Sequence, residues 1–165
     1  MANIIQAEKK DLQEIHRLAH IIWPLVYDYM ISHEQIDYML DKMYAIPALE
    51  KQWEEGHHFF LLEHEGQLLG FASCSVDDAS NRTRLHKLYI HPSAQGNGWG
   101  KLLVNAVQDF ASENKSIEVE LNVNRHNKSI GFYESLGFKV EASVDVEIGG
   151  GFFMNDYVMV LQLTA

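Results

Sequence analysis

Between residues 95 and 100 the chain reads Gln95-Gly96-Asn97-Gly98-Trp99-Gly100, with glycine at every second position. Upstream, Arg84 to Ile90 carries Leu85, Leu88 and Ile90 in a pattern that suits a strand, and Pro92 ends it. Downstream, Leu102, Leu103, Ala106, Val107 and Phe110 return at helical spacing. A glycine turn that leaves a strand and opens a helix presents free backbone N–H groups at the positive end of the helix dipole, an arrangement suited to phosphate. Glycine serves there because a side chain would block the anion and because loop positions call for positive φ. In this reading the side chains of Asn97 and Trp99 face elsewhere. Two nucleotide motifs fail by counting. A P-loop needs four residues between its glycines and a hydroxyl after its lysine. Here three residues separate Gly96 from Gly100, and Leu102 follows Lys101. The dinucleotide fingerprint needs GxGxxG early in a βαβ unit, whereas this loop is GxGxG.

Around the loop, Leu12, Ile15, Leu18, Ala19, Ile22 and Trp23 predict an amphipathic helix from Lys9 to about Met30, bent or ended near Trp23 by Pro24. Ser32 and Gln35 have capping-box spacing ahead of a second helix bearing Ile36, Met39, Leu40 and Met43. A short helical piece, Ala48 to Glu54, precedes Gly56. His58 to His64 and Gln67 to Val76 flank the turn Glu65-Gly66 and predict a hairpin. Ile117 to Val123 reads as a strand, and residues from Asn127 or Lys128 to Leu136 as a short helix. Phe138 to Ile148 and Phe152 to Leu163 are strands around Gly149-Gly150-Gly151. The sum is an α/β arrangement around a mixed sheet, in one domain over residues 1–165.

Composition narrows the chemistry. Thirteen Lys and Arg against twenty-three Asp and Glu give a net charge of −10, so counterion release on nucleic acid has little to work with. Cationic small molecules suit the surplus better. Cys74 is the single cysteine, which excludes an internal disulfide and points to a reducing compartment. The opening MANIIQAEKKDLQEI lacks the basic and apolar regions of a signal peptide, and no run approaches the roughly 18 apolar residues of a membrane span. A cytoplasmic protein that binds no membrane is expected. Nine histidines invite a metal, yet no HExxH occurs and Cys74 has no thiolate partner, so no metal site is expected.

The segment LHKLYIHPSAQGNGWGKLLVNAV closely resembles the acetyl-CoA-binding segment of the GCN5-related N-acetyltransferases, with Gln95, Gly98 and Gly100 in the family's places. A second block supports it: Asn127, Ser129-Ile130-Gly131-Phe132-Tyr133 and Gly137-Phe138. The ending FFMNDYVMVLQL also looks like the last strand of many bacterial members, so the resemblance covers roughly Phe59 to Leu163. It implies a mostly antiparallel central sheet flanked by helices, and acetyl-CoA as cofactor. The pyrophosphate would lie on the amides of Gln95, Gly96, Asn97, Gly98, Trp99 and Gly100, with Lys101 nearby. The pantetheine arm would add like a strand to Leu88, Tyr89 and Ile90. Asn127 matches a cofactor-contacting asparagine of the family, and asparagine also favours a helix cap by itself.

Acetyl transfer to an amine needs a neutral nucleophile, stabilised oxyanion charge, and a proton for the departing thiolate. Tyr133 matches the family tyrosine that stands near the sulfur as general acid, and a phenol stays protonated at neutral pH. The oxyanion would rest on a backbone N–H of Leu88 to Ile90. His86 is the candidate base, because imidazole titrates near neutrality and some arylalkylamine-acetylating relatives carry His there. Other relatives use a glutamate where this chain has Asn122. An amide cannot take the proton, so Glu120, two residues away on the same face, or a water chain is the substitute. Trp23, Tyr27 and Tyr38 are candidates for an acceptor pocket. The expectation is direct transfer in a ternary complex to a small-molecule primary amine, polyamines first and protein amines second. The rival is a non-catalytic acyl-CoA-binding module. The closing strand pair could join two sheets in a homodimer.

Overall fold

The computed structural model describes residues 1–163. Seven strands form one sheet in the order β1-β2-β3-β4-β5-β7-β6. They are β1 (Ala2–Gln6), β2 (His58–His64), β3 (Gln67–Asp77), β4 (Arg82–Ile90), β5 (Glu118–Asn124), β6 (Lys139–Gly149) and β7 (Phe152–Gln162). Five helices cover it: α1 (Leu12–Tyr27), α2 (His33–Tyr44), α3 (Ile46–Glu54), α4 (Trp99–Glu113) and α5 (Ile130–Ser135). Every neighbouring pair is antiparallel except β4 with β5. The mixed, mostly antiparallel sheet is the one the sequence led us to expect.

Each face has its own core. On one, Leu103, Val104, Val107 and Ala111 of α4 and Tyr133 of α5 pack against Phe60, Leu62, Leu85, Leu121 and Met159. On the other, Ile15, Ile22 and Trp23 of α1, Ile36 and Met39 of α2 and Leu49 of α3 pack against Phe59, Leu61 and Phe71. The alternation of Phe60 and Leu62 with Phe59 and Leu61 shows why β2 reads as a continuous apolar run: both of its faces are covered.

Three local features depart from expectation. The chain opens with β1, an edge strand paired with β2 through Ile4↔Leu62 and Ile5↔Leu61, which the helical reading of the N-terminus passed over. Pro24 does not end α1, which runs on to Tyr27. A proline inside a helix costs about 3 kcal/mol, but Ile22, Trp23 and Tyr27 are all buried around it. At about 1.5–3 kcal/mol per large apolar side chain, that burial holds the last turn. Finally, Ser32 Oγ accepts the Gln35 N–H at 3.1 Å, but the Gln35 side chain donates instead to the Phe153 carbonyl. The helix is capped from one side only, and Gln35 ties α2 to β7.

Two irregularities in β4 shape the centre of the molecule. Ser73 pairs with Lys87 and Cys74 with Leu85, leaving His86 as a bulged residue. The extra residue turns both His86 and Lys87 toward the α1–α3 face, where His86 meets His57 and Lys87 meets Tyr44. In addition, β4 pairs with β5 only over Arg82–Leu85 and Glu118–Leu121. Beyond that point the strands part, and Leu88 to Ile90 are paired with β3 on one edge alone. Among the described residues no helix is long and apolar enough to cross a membrane.

Candidate active site

A cavity of about 920 Å³ fills the gap where β4 and β5 diverge. The glycine loop, the free edge of β4, the start of α5 and the end of α1 all open on it.

The loop ends at Gly98, the residue preceding α4, with φ of 77°. A Cβ built there meets nothing within 4 Å, so the position needs glycine for its left-handed backbone and leaves open space above the amides. Gly100 has a different reason. Its Cβ would stand 3.1 Å from the Phe132 ring, so this glycine permits α4 to approach α5 and does not clear space for an anion. No acidic residue occupies the first turn of α4, a fifteen-residue helix whose initial N–H groups face the loop. Gln95, Gly96, Gly98, Trp99 and Gly100 line the cavity, whereas Asn97 and Lys101 do not. Asn97 Nδ2 donates to the Ala94 carbonyl at 3.0 Å and fixes the loop's shape, and the Trp99 ring packs on His64.

Leu88, Tyr89 and Ile90 line the cavity along the unpaired edge of β4. An extended chain fits such an edge through main-chain hydrogen bonds. A donor-rich helix start beside a free strand edge, with no acidic side chain between them, fits a pyrophosphate and its amide-bearing arm. The Tyr89 side chain points to the other face, where its hydroxyl is 2.8 Å from that of Tyr27.

Tyr133, on α5, lines the same cavity and is 7% exposed. Its ring packs edge-on against Phe132 and Phe138, and burial pushes its phenol well above the usual value. It therefore keeps its proton until another group takes it. Asn127 also lines the cavity, but its Oδ1 accepts the Ser129 N–H at 2.7 Å, so its side chain is occupied in shaping the entry to α5.

The candidate bases are placed less favourably. His86 Nε2 is 2.7 Å from Ser75 Oγ, and the ring stacks on His57 at 4.1 Å and 7°. Burial, then His57, Lys87 and Arg84, push the imidazole down to about 3. Such a ring is neutral at pH 7 and a weak proton acceptor. Glu120 is held by Arg82 at 3.2 Å and Arg84 at 3.3 Å, outside the cavity lining. Asn122 accepts from Arg84 at 2.6 Å. Of the proposed aromatic wall, Trp23 and Tyr27 line the cavity. Tyr38 does not: its hydroxyl donates to the Ile148 carbonyl at 2.9 Å and its ring meets Phe152.

Two cavity residues escaped the sequence reading. Lys87 is 3% exposed, with Nζ 4.6 Å from the centroid of the Tyr44 ring. Asp156, on β7, is also 3% exposed, and its Oδ1 has no hydrogen-bond partner. The signal for Asp156 was present in a carboxylate amid the apolar run FFMNDYVMVLQL. That for Lys87 was not, because the bulge at His86 moves it from the face of Leu85 to the α1–α3 face of the cavity. Among the described residues no group of three or more His, Cys, Asp or Glu side chains is placed to hold a metal ion.

A family model described as the acetyltransferase (GNAT) family matches residues 15–138. An uncharacterized N-acetyltransferase of Methanocaldococcus jannaschii is 34% identical over 97 residues, covering 55% of this chain and 42% of its own. An L-amino acid N-acyltransferase of Escherichia coli is 29% identical over 112 residues, covering 66% and 65%. The chain thus spans less than two thirds of either relative. Among solved structures, the PaiA N-acetyltransferase of Thermoplasma acidophilum in complex with coenzyme A superposes with a TM-score of 0.81 at 23% identity, over 99% of both chains. A Salmonella typhimurium acetyltransferase solved with its cofactor acetyl-CoA gives 0.68 at 25% identity, over 100% of this chain and 95% of that one.

Proposed function

The chain belongs to the acetyltransferase (GNAT) family, and we propose that it is an acetyl-CoA-dependent N-acetyltransferase that modifies the primary amine of a small molecule by direct transfer in a ternary complex. One observation carries this reading: the open helix start at Gly98, the unpaired edge of Leu88–Ile90 and the buried Tyr133 phenol all face a single cavity.

Acetyl-CoA, when bound, supplies an activated acetyl thioester. The N–H groups from Gly98 into α4 would hold its pyrophosphate, and the free edge of β4 would hold its amide-bearing arm. A backbone N–H on that edge receives developing negative charge. Tyr133 keeps a proton at its Oη for the departing thiolate. His86, with its pKa near 3, stays neutral and orients the bulge through Ser75. The amine's proton then leaves to water in the cavity, since Glu120 is committed to two arginines.

The acceptor follows the cavity's charges and not those of the whole chain. Net charge favoured polyamines, but the wall carries Lys87, Arg84 and Lys128 against one carboxylate, Asp156. A dication gains little there. An amine that also bears a carboxylate suits the wall, and the activity named for the Escherichia coli relative supports that class. A binding module without turnover has no need of a buried phenol at the cofactor's reactive end.

The test is thiol release from acetyl-CoA with a panel of L-amino acids, spermidine, aromatic ethylamines and short peptides, with acetylated products identified by mass. Transfer to a small amine is the expected result. Cofactor binding without transfer to any acceptor would favour the binding module.

A further inference from the structure

Lys87 and Asp156 are the cavity's two deeply buried charges, and neither is used by the chemistry above. Both side chains lie on the α1–α3 face of the sheet: Lys87 under Tyr44, and Asp156 beside Met154 and within electrostatic reach of Tyr27. They stand on opposite flanks of the opening, since Lys87 lies two residues past the last β4–β5 pair and Asp156 sits on β7 across from Asn124. Among the described residues neither takes part in an ion pair.

A buried charge without a counter-ion is costly, and proteins ordinarily pair it or leave it in water. The neighbouring charges are already committed. Arg84 is held by Glu120 and Asn122, and Arg125 by Asp145 and Ser143. Lys87 lies on the face of a tyrosine ring and near His57 and His86, and Asp156, which Asn122 also reaches, keeps its Oδ1 without a donor. Burial depresses the lysine to about 8, so at pH 7 it still carries its charge with no anion beside it, and burial raises the aspartate. The aromatic and thioether surfaces of Trp23, Tyr27, Met43 and Met154 supply an apolar wall beside the two charges.

We propose that Lys87 and Asp156 are the two ends of the acceptor site, Lys87 taking a carboxylate and Asp156 the ammonium group, which gives one proton to cavity water and reacts as the neutral amine, so that the acceptor is a zwitterionic amino acid with an apolar side chain. This rests on the acetyltransferase reading and assigns its specificity to two residues. A zwitterion carries both of the signs that these two side chains lack. A polyamine would leave Lys87 facing a cation, and an amino-acid amide would leave it without an anion.

The experiment compares L-leucine, L-methionine and L-phenylalanine with their carboxamides and with spermidine, by acetyl transfer and by calorimetric binding to the coenzyme A complex. The wild-type protein, Lys87→Met, Lys87→Arg and Asp156→Asn are measured, each checked for folding by its melting temperature. The wild type is expected to favour at least one acid over its amide by more than tenfold in kcat/KM. That preference should collapse in Lys87→Met and return in part in Lys87→Arg. Asp156→Asn should raise KM for the amino acid while coenzyme A binding persists. Equal use of acids and amides, a preference for spermidine, or no binding and transfer with any of the acids would overturn the proposal. Failure to bind coenzyme A at all would instead overturn the acetyltransferase reading.

Discussion

His86 lies flat against His57, with ring centroids 4.1 Å apart and planes 7° from parallel, at the bulge that opens the cavity. The stack sets two imidazoles close enough that charging His57 opposes charging His86. Both are pushed below their ordinary value, His86 to about 3, with burial as the largest cause. The unfolded chain therefore binds more protons than the folded one at pH below about 6.5. Stability should be fully present above that value and fall as pH drops toward 3. His86→Gln should flatten the dependence of melting temperature on pH across this window, and an unchanged slope would show that the stack is not its source.

In the proposed mechanism, Tyr133→Phe removes the proton for the departing thiolate while leaving the ring's contacts with Phe132 and Phe138 in place. General acids contribute roughly 10²–10⁴-fold, so we expect kcat to fall about a hundredfold and coenzyme A affinity to hold. Because burial raises the phenol, the wild-type rate should show no alkaline limb from Tyr133 up to about pH 10. Steady-state kinetics and calorimetry on the two proteins check both statements.

Lys87→Met replaces a buried, unpaired ammonium by an apolar chain of similar length beside Tyr44. The lysine's folded value of about 8 lies below its ordinary 10.5, so its charge opposes folding at pH 7 and the opposition fades between those two values. The substitution should stabilise the protein by about 1–3 kcal/mol while weakening acceptor binding. A rise in melting temperature at pH 7 that shrinks toward pH 10.5 is the expected signature; a fall in melting temperature would show that the lysine's packing outweighs its charge.

Much of this architecture was legible in the residues. Apolar runs bounded by turn glycines mark β2, β3, β6 and β7, and the strand–loop–helix order around Gly98 marks the proposed cofactor side. What escaped depends on contacts distant in sequence. In β1, the adjacent residues Ile4 and Ile5 carry no helical or strand period of their own, and only pairing with β2 defines them. Pro24 reads as a break because the burial that overrides it comes from α2 and the sheet. By period two Lys87 would share the face of Leu85, and only the bulge at His86 turns it to the opposite, α1–α3 face, under Tyr44. Glu120 has the right chemistry for a base, but two arginines from β4 claim it. Local pattern thus marks the proposed cofactor side, whereas the proposed acceptor side is built from register and strand divergence.

In the proposed mechanism the turn at Gly98 and the start of α4 hold the cofactor's phosphates. Calorimetric titration of acetyl-CoA into the wild-type protein and into Gly98→Val tests this. The φ of 77° at this position is one that a β-branched residue rarely adopts, and its side chain would stand over the amides. We predict one site per chain in the wild type and loss of binding in a variant that remains folded by circular dichroism. Undiminished binding by folded Gly98→Val, or no binding by the wild type, would contradict the claim.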